Sequence, residues 1–418
     1  MTVPHLSVSL PYWQNRAPLD ALQVAAAAEK LGYHRLWVGE MATFDAFALA
    51  TAIGKSPGRM PLCLGPLPIG VRSPATIALG AATVAALTGR PVDVALGTSS
   101  TVVVRDWHGR RRHRTARHLD ECTRIVRALL AGEKVEYDGL IERIRGFRLR
   151  LPALRPSLST TVLGDTGAAE FGLASVGYTH GRVASNGAAA DTRRPIGVDA
   201  DGVGPESTAS DGPSAEVAGQ VSSSGDQASA SADAPSTGGE IVVAAFGDRA
   251  LEVAARCADR VVLNLVTPAQ VARCVTAIKE FADRAARPTP PVSVWVTAAY
   301  EPDADMLTTV RQAVVAYLRA PGYDTMFTEA GFGDVVRLAH SGAHPRDLLA
   351  AIPDELPAAV GMFGDAPSLI ARLAQYRDAG ADELVIVPVT TAEDPAGHRT
   401  LKALAEIRAH ASGVADDH

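Results

Sequence analysis

The sequence predicts an α/β fold, a (β/α)8 (TIM) barrel with insertions, and three observations lead to this prediction. Short apolar runs alternate with segments of helical spacing, which is the pattern of βαβ units and a parallel sheet. Eight such runs can be counted, the number that a closed barrel requires. No Gly-x-Gly-x-x-Gly follows the first run, where the rival dinucleotide-binding open sheet would carry it.

The predicted strands are apolar runs bounded by glycine, proline or polar residues. The first helix, Pro18 to Leu31, has Asp20 in its first turn and ends at Gly32, just before the second strand. The eight strands are Leu6–Leu10, Leu36–Gly39, Leu62–Pro68, Val92–Leu96, Ile241–Ala245, Val261–Asn264, Val292–Ala298 and Leu384–Pro388.

A long segment before the fifth strand interrupts this alternation. From Asp201 to Gly239 the chain has no Lys, Arg, Leu, Ile or aromatic residue. Such a composition cannot bury enough apolar area to offset the cost of ordering the backbone, about 1–2 kcal/mol per residue. We therefore predict a first half-barrel over 1–154, a flexible insertion over 155–239 that the fold does not need, and a second half-barrel over 240–412.

Composition and motifs exclude several classes of function. A net charge of -6 gives no general basic field for nucleic acid, and 47% hydrophobic with 21% charged residues is typical of a soluble enzyme. The four cysteines and the dispersed histidines form no metal-binding motif, and the sequence has neither a Gly-x-Ser-x-Gly elbow nor a P-loop. With no apolar stretch long enough for a membrane and no signal-peptide pattern at Met1–Pro11, we expect a cytoplasmic enzyme that uses an organic cofactor.

Residues at the strand ends are the first candidates for a site, because TIM-barrel chemistry lies at that face. Gly247 follows the fifth strand and opens a helix, so free N–H groups there could bind a phosphate. The alternatives are that Gly247 only tightens the loop, and that Asp248 caps the helix. Gly97, Thr98 and Ser99 offer room for a flat ring or a phosphate, or else form an ordinary polar loop.

Two side chains are candidates for acid–base work. Glu40 follows the buried second strand and, together with Asp45, could orient a cofactor ring or move a proton. His108, beside Trp107 in the loop after the fourth strand, is the second candidate. The alternatives are that Glu40 is an ordinary solvent-exposed loop residue and that His108 has no catalytic role.

One concentrated basic patch lies just beyond this loop. A polyanionic tail of a small molecule, a solvated helix start, or nucleic acid could explain it, and the acidic total charge disfavours nucleic acid. Its members are Arg105, Arg110, Arg111, Arg112, His113, Arg114, Arg117 and His118.

Taken together, the strand-end phrases resemble the bacterial-luciferase-like superfamily and, within it, the actinobacterial coenzyme F420-dependent oxidoreductases. The matching phrases are Leu36–Ala50, Leu64–Pro74, Val94–Ser100, Val243–Gly247 and Arg260–Val266. The resemblance implies a (β/α)8 barrel that binds a flavin or deazaflavin at its C-terminal mouth.

The resemblance also implies roles for individual residues. Glu40 stands where relatives hold an acid near the cofactor ring. The stretch Leu64–Leu67 corresponds to a bulge that often contains a non-prolyl cis peptide behind the ring. The implied cofactor-binding residues are Leu64, Gly65, Gly97, Thr98, Ser99, Ala245, Phe246 and Gly247.

Two departures from the family pattern matter. Met41 stands where many relatives carry a histidine, so His108 would have to replace it. Relatives also pass almost directly from the hairpin near Phe147–Arg150 to the fifth strand, without the insertion.

From the resemblance and the basic patch we expect hydride transfer between coenzyme F420 and a small organic substrate. The alternatives are an FMN-dependent luciferase-like monooxygenase and a non-catalytic cofactor-binding barrel. We expect no metal, no nucleic acid and no membrane partner, and a homodimer is left open.

Overall fold

The computed structural model describes residues 4–11, 19–40, 42, 44–150 and 239–411. Within these ranges, eight of the strands form a closed parallel barrel, and the others form a hairpin and a short extension. The strands are β1 (His5–Ser9), β2 (Leu36–Val38), β3 (Leu62–Pro68), β4 (Val92–Gly97), β5 (Val135–Asp138), β6 (Arg143–Phe147), β7 (Ile241–Ala244), β8 (Arg260–Asn264), β9 (Val292–Tyr300), β10 (Met362–Gly364) and β11 (Glu383–Pro388).

The barrel follows the order β1, β2, β3, β4, β7, β8, β9 and β11, and it closes because β11 pairs with β1. Each of these pairings is parallel. Strand β10 adds to the end of β9, whereas β5 and β6 form a separate antiparallel hairpin. The sequence prediction of a (β/α)8 barrel is therefore confirmed.

Helices connect the strands and surround the barrel. They are α1 (Asp20–Lys30), α2 (Ala46–Gly54), α3 (Pro74–Thr88), α4 (Thr115–Leu130), α5 (Asp248–Cys257), α6 (Pro268–Arg284), α7 (Ala304–Val315), α8 (Tyr323–Phe327), α9 (Gly333–His340), α10 (Pro345–Ala351), α11 (Glu355–Val360), α12 (Ala366–Asp378) and α13 (His398–Ala411). Two π-helical turns lie at Val102–Trp107 and Thr328–Phe332, and the second is kinked at Gly331, whose φ is +97°. No helix in the described ranges has both the length and the apolar character needed to cross a membrane.

Local sequence explains where several helices begin. Ser73 caps α3 by accepting a hydrogen bond from the Thr76 N–H, and Pro74 takes the first helical position, where its missing N–H costs nothing. At the start of α6, Thr267 and Gln270 form a capping box. These caps fix the points at which the loops above the strands end.

Two apolar layers hold the barrel together. The outer layer packs strand residues against the surrounding helices. The inner layer takes residues from seven strands, and they alternate along each strand with those of the outer layer. Its members are Trp37, Cys63, Ala95, Val242, Val262, Trp295, Val385 and Val387, with Ala244 beside them.

Charged side chains close the N-terminal end of the barrel, and we call them the lower charge cluster. They are Arg35, Asp93, Glu240, Arg260 and Glu383. Glu383 is 1% exposed and accepts hydrogen bonds from the Ser7 and Ser293 hydroxyls. Burial raises the pKa of Asp93 to about 6, although Arg35 acts in the opposite direction.

Glu240 links the lower charge cluster to β7, which begins at the next residue. Its carboxylate accepts from Arg35 at 3.0 Å and from Arg260 at 2.9 Å. Its N–H donates to the Asp93 carboxylate at 2.7 Å, and its C=O accepts from the Val94 N–H. The predicted insertion lies outside the described residues apart from Gly239, which already lies against Val92.

Candidate functional site

Small residues line the inner face of the barrel at its C-terminal mouth. A Cβ placed on Gly97 would lie 3.1 Å from the Pro66 Cβ and 3.6 Å from the Ala244 Cβ, so these three residues from β3, β4 and β7 adjoin. Below them the indoles of Trp37 and Trp295 meet edge to face with their centroids 5.6 Å apart. The result is an uncharged surface of small residues above two indole rings.

Gly65 sets the shape of this surface. Its φ is +124°, and a Cβ there would lie 2.2 Å from the Ala95 carbonyl oxygen, so glycine is required. The β3–β4 register shifts between Leu64 and Leu67, as the bulge at Leu64–Leu67 requires. The cis bond in this bulge is Gly65–Pro66, a prolyl bond and not the non-prolyl type that the resemblance suggested.

Glu40 is held in an acid–arginine triad with Arg72 and Asp45. The Arg72 Nε donates to the Glu40 Oε1 at 2.9 Å, and the Ala46 N–H donates to the Glu40 Oε2 at 3.2 Å. The Arg72 guanidinium also pairs with Asp45, which caps α2 through the Ala48 N–H. Burial would raise the pKa of Asp45, but the Ala48 hydrogen bond and Arg72 together lower it.

This geometry sharpens the prediction for Glu40. The structure does bring Glu40 and Asp45 together, as the sequence suggested, but through Arg72, which sequence reasoning did not single out. Both oxygens of the Glu40 carboxylate are held, Oε1 by Arg72 and Oε2 by the Ala46 N–H, so the side chain has a fixed orientation. Met41, the residue at the missing histidine position, lies outside the described residues.

The loop after β4 is fixed by an arginine from the basic patch. The Arg112 Nε donates to the Ser99 carbonyl at 3.0 Å, and its terminal nitrogen reaches the Thr98 hydroxyl at 3.4 Å. Ser99 has a φ of +56°, which is uncommon for a residue other than glycine. Thr98 and Ser99 are half-buried beside the small-residue surface, where the sequence placed a cofactor loop.

The remainder of the basic patch divides into two groups. Arg105 and Arg117 form ion pairs with Asp106 and Glu121, and the His118 Nε2 is hydrogen-bonded to Glu142 at 2.7 Å, so these three are parts of the local structure. Arg110, Arg111, His113 and Arg114 are exposed, as is His108 just before them. His108 ends the first π-helical turn, and its catalytic role stays a prediction.

The turn after β7 leaves room beside a helix start. Gly247 is the N-cap of α5 with φ −93°, and a Cβ there would meet no atom within 4 Å. Asp248 is therefore the first residue of the helix and not its cap. The first N–H groups of a helix have no partner within it, so this turn can accept an anion.

Three residues of the predicted set face elsewhere or have a second role. The side chains of Leu64 and Ala245 pack in the outer apolar layer, so only their backbone can reach a ligand. The Phe246 ring packs on Tyr323, with centroids 4.6 Å apart.

No group of three or more His, Cys, Asp or Glu side chains in the described part of the chain is arranged to hold a metal.

The residues present fit a flavin-type cofactor. The surface of Gly65, Pro66, Gly97 and Ala244 suits a flat tricyclic ring, and the open turn at Gly247 suits a phosphate. The exposed arginines after β4 suit further negative charge.

Comparisons with known proteins agree with this fold. The chain is 30% identical over 128 residues to Rv3520c of Mycobacterium tuberculosis, a protein provisionally named as a coenzyme F420-dependent oxidoreductase. This match covers 31% of the chain and 37% of the relative's length, so it spans well under half of that protein.

Solved structures match almost the whole chain at low identity. The coenzyme F420-dependent tetrahydromethanopterin reductase from Methanopyrus kandleri has a TM-score of 0.66 at 14% identity, covering 96% of this chain and 98% of its own. An F420-dependent secondary alcohol dehydrogenase in complex with an F420-acetone adduct has a TM-score of 0.65 at 13% identity, covering 97% and 99%. Monooxygenases also match, at TM-scores of 0.56 to 0.58, one of them in complex with FMN.

The sequence profile of the luciferase-like monooxygenases matches residues 5–172 and 209–383, which is most of the chain. The matched ranges include every barrel strand up to the first residue of β11. The bulged third strand, the small-residue mouth and the profile thus point the same way: the chain belongs to the luciferase-like monooxygenase family.

Proposed function

We propose that the protein is an oxidoreductase that uses coenzyme F420 to transfer a hydride to or from a small organic substrate. The observation that carries the proposal is the pairing of two features at one mouth. The uncharged surface around Gly97 lies beside the start of α5 at Gly247. The exposed side chains of Arg110 and Arg111 follow the loop after β4. The named activity of the mycobacterial relative supports the same choice of cofactor.

Charge favours F420 over FMN. In the described ranges Arg110 and Arg111 have no carboxylate partner, unlike Arg105 and Arg117 of the same patch. The polyglutamate tail of F420 carries negative charge that FMN lacks, so unpaired arginines at this rim gain more from F420.

Each part of the site has a defined task in this proposal. Gly65, Pro66 and Gly97 would support the ring, while the α5 N–H groups after Gly247 would bind the phosphate. Glu40, held by Arg72 between β2 and β3, would orient the cofactor ring. When bound, the deazaflavin supplies a ring carbon that accepts or donates a hydride.

The test is a fluorescence titration of the purified chain with F420 and, separately, with FMN. We expect F420 to bind at least tenfold more tightly. Tighter binding of FMN, followed by oxygen consumption with reduced FMN, would favour the monooxygenase alternative. Binding without turnover of any alcohol or ketone in a broad panel would favour the non-catalytic alternative.

A further inference from the structure

Arg112, which follows the loop after β4, has only neutral hydrogen-bond partners. Its Nε donates to the Ser99 carbonyl at 3.0 Å, and its Nη2 reaches the Thr98 hydroxyl at 3.4 Å. No carboxylate of the described residues pairs with it. Arg112 is half-buried, and burial lowers the pKa of its guanidinium. Because a charge taken out of water without a counter-ion costs free energy, an anion bound here would be stabilised.

Two other half-buried arginines show how such a charge can be compensated. Arg72, on the β2–β3 side of the mouth, pairs with two carboxylates. Arg287 donates to two carbonyls at the C-terminal end of α5, where the helix dipole is negative. The Ser99 carbonyl lies in a loop before the first π-helical turn and supplies no such dipole. Of these three arginines, Arg112 is therefore the one whose charge is left for another molecule.

The hydrogen bonds to the β4 loop leave one edge of the Arg112 guanidinium free. A guanidinium has five N–H donors, and the loop takes the Nε donor and one Nη2 donor. Among the described residues, the two Nη1 donors and the second Nη2 donor have no acceptor. Nη1 and Nη2 lie side by side, and the edge that they form matches the two oxygens of a carboxylate.

Arg112 is anchored close to the surface proposed for the cofactor ring. Thr98 and Ser99 follow Gly97 directly, and consecutive Cα atoms are about 3.8 Å apart, so Ser99 lies within about 8 Å of Gly97. A Cβ on Gly97 would meet only two side chains of that same surface within 4 Å, so no other described residue covers this glycine. A small molecule lying over Gly97 could therefore reach the Arg112 guanidinium with a charged group.

We propose that Arg112 binds a carboxylate of the substrate, so that the substrates are small organic acids. In the proposed function the cofactor phosphate binds at the start of α5, and its charged tail lies along exposed Arg110 and Arg111. Arg112, held against the loop that follows Gly97, is left for the molecule that reacts at the ring. The inference rests on the proposed function and names the substrate class of that same site.

The task of Arg112 in this proposal is binding and orientation. An arginine stays charged at neutral pH, so its guanidinium does not exchange a proton with the substrate. A carboxylate held by two parallel hydrogen bonds fixes one end of the substrate, and this restricts which carbon faces the ring.

A cofactor-free titration tests the site. The full chain is labelled with ¹⁵N-arginine, and the Arg112 Nε–H resonance is assigned with Arg112→Lys. We expect propionate, added at constant ionic strength, to shift this resonance in a saturable manner. Propionamide has a similar shape without the charge, and it should bind at least about tenfold more weakly because it loses the charge-assisted pair.

Arg287 is the matched control, because it is half-buried and also donates to neutral carbonyls. Its Nε–H resonance, assigned with Arg287→Lys, should not move with propionate. Equal shifts at Arg287, equal binding of propionamide, or no saturable shift at Arg112 would each overturn the proposal.

Adding F420 tests whether the carboxylate belongs to the substrate or to the cofactor. If Arg112 serves the substrate, saturating F420 should leave the propionate-induced shift of Arg112 in place. Loss of that shift would assign Arg112 to the cofactor and overturn the proposal. Failure of F420 to bind would overturn the proposed function instead, while the cofactor-free titration would still report on Arg112.

Discussion

The two ends of the barrel use opposite chemistry. At the N-terminal end the interior is filled by the lower charge cluster, in which each charged group has a charged partner. At the C-terminal end the interior surface of β3, β4 and β7 is glycine, proline and alanine, and the Glu40–Arg72 pair lies at the rim. The comparison indicates that the side chains at the N-terminal end hold the strands together, whereas those at the C-terminal end leave space inside the barrel. Substitutions at the two ends should therefore affect different measurements.

The largest effect is expected at the N-terminal end. Arg260→Met would leave the buried Glu383 without its cation, and breaking a buried pair in this way costs about 3–5 kcal/mol. Urea unfolding should show a lower midpoint with an unchanged slope. Arg273→Met is the matched control: its pair with Glu329 is exposed, so it should lose about 1 kcal/mol or less. Equal losses would remove the contrast between buried and exposed pairs.

The next largest effect is a pH dependence of the unfolding free energy that arises from Asp93 in the lower charge cluster. Its folded pKa of about 6 lies above the ordinary value of 3.8, so the native state binds a proton more readily than the unfolded state. The resulting stabilisation is full below about pH 4 and is lost as the pH rises through 6, by about 2–3 kcal/mol.

Asp93→Asn removes this titration. The difference in unfolding free energy between wild type and Asp93→Asn should therefore change between pH 4 and pH 7, and the wild type should lose more stability over that range. Using the difference cancels the carboxylates that the two proteins share. A difference that stays constant with pH would show that Asp93 does not titrate there.

At the mouth, substitutions should change affinity and not stability. Gly247→Val places a side chain beside the α5 N–H groups, and losing a charge-assisted contact there should weaken F420 binding about ten- to hundredfold. The melting temperature without cofactor should hardly move, because φ is −93° and a Cβ meets no atom within 4 Å. A large fall in melting temperature with unchanged affinity would contradict the phosphate assignment.

The smallest effect concerns the rim. Arg111→Glu should weaken F420 binding a few-fold at low salt and less at high salt, because exposed charges are screened. Lys30→Glu makes the same charge change at the C-terminal end of α1, which lies at the opposite end of the barrel. It should leave F420 affinity unchanged at either salt concentration. Equal effects would mean that only net charge matters.

The barrel strands were readable from the sequence because each is a short, largely apolar run, and β1 alternates polar and apolar residues. The prediction for β3 was Leu62–Pro68, as observed, and that for β8 began one residue late because Arg260 is polar. Sequence reasoning missed β10, a strand of three residues that only extends β9. A strand of three residues is too short to show the two-residue alternation that identifies a strand in a sequence.

The candidate site was predictable only in part. Gly97 and Gly247 stood out because each comes at the C-terminal end of a strand, the face where TIM-barrel chemistry lies. Arg72 was not found, since its partner Glu40 is 32 positions away in the sequence. A polar residue that opens an apolar run, as Arg260 and Glu383 do, was a usable signal for the lower charge cluster.

Glu240 has a consequence for how this chain can vary. The residue that starts β7 carries its own anchors: two arginines on its carboxylate, Asp93 on its N–H and Val94 on its C=O. The register of β7 is thus set at the point of re-entry, whatever the length of chain that precedes it. We therefore expect the barrel to keep its alignment when a foreign peptide replaces the segment before Gly239.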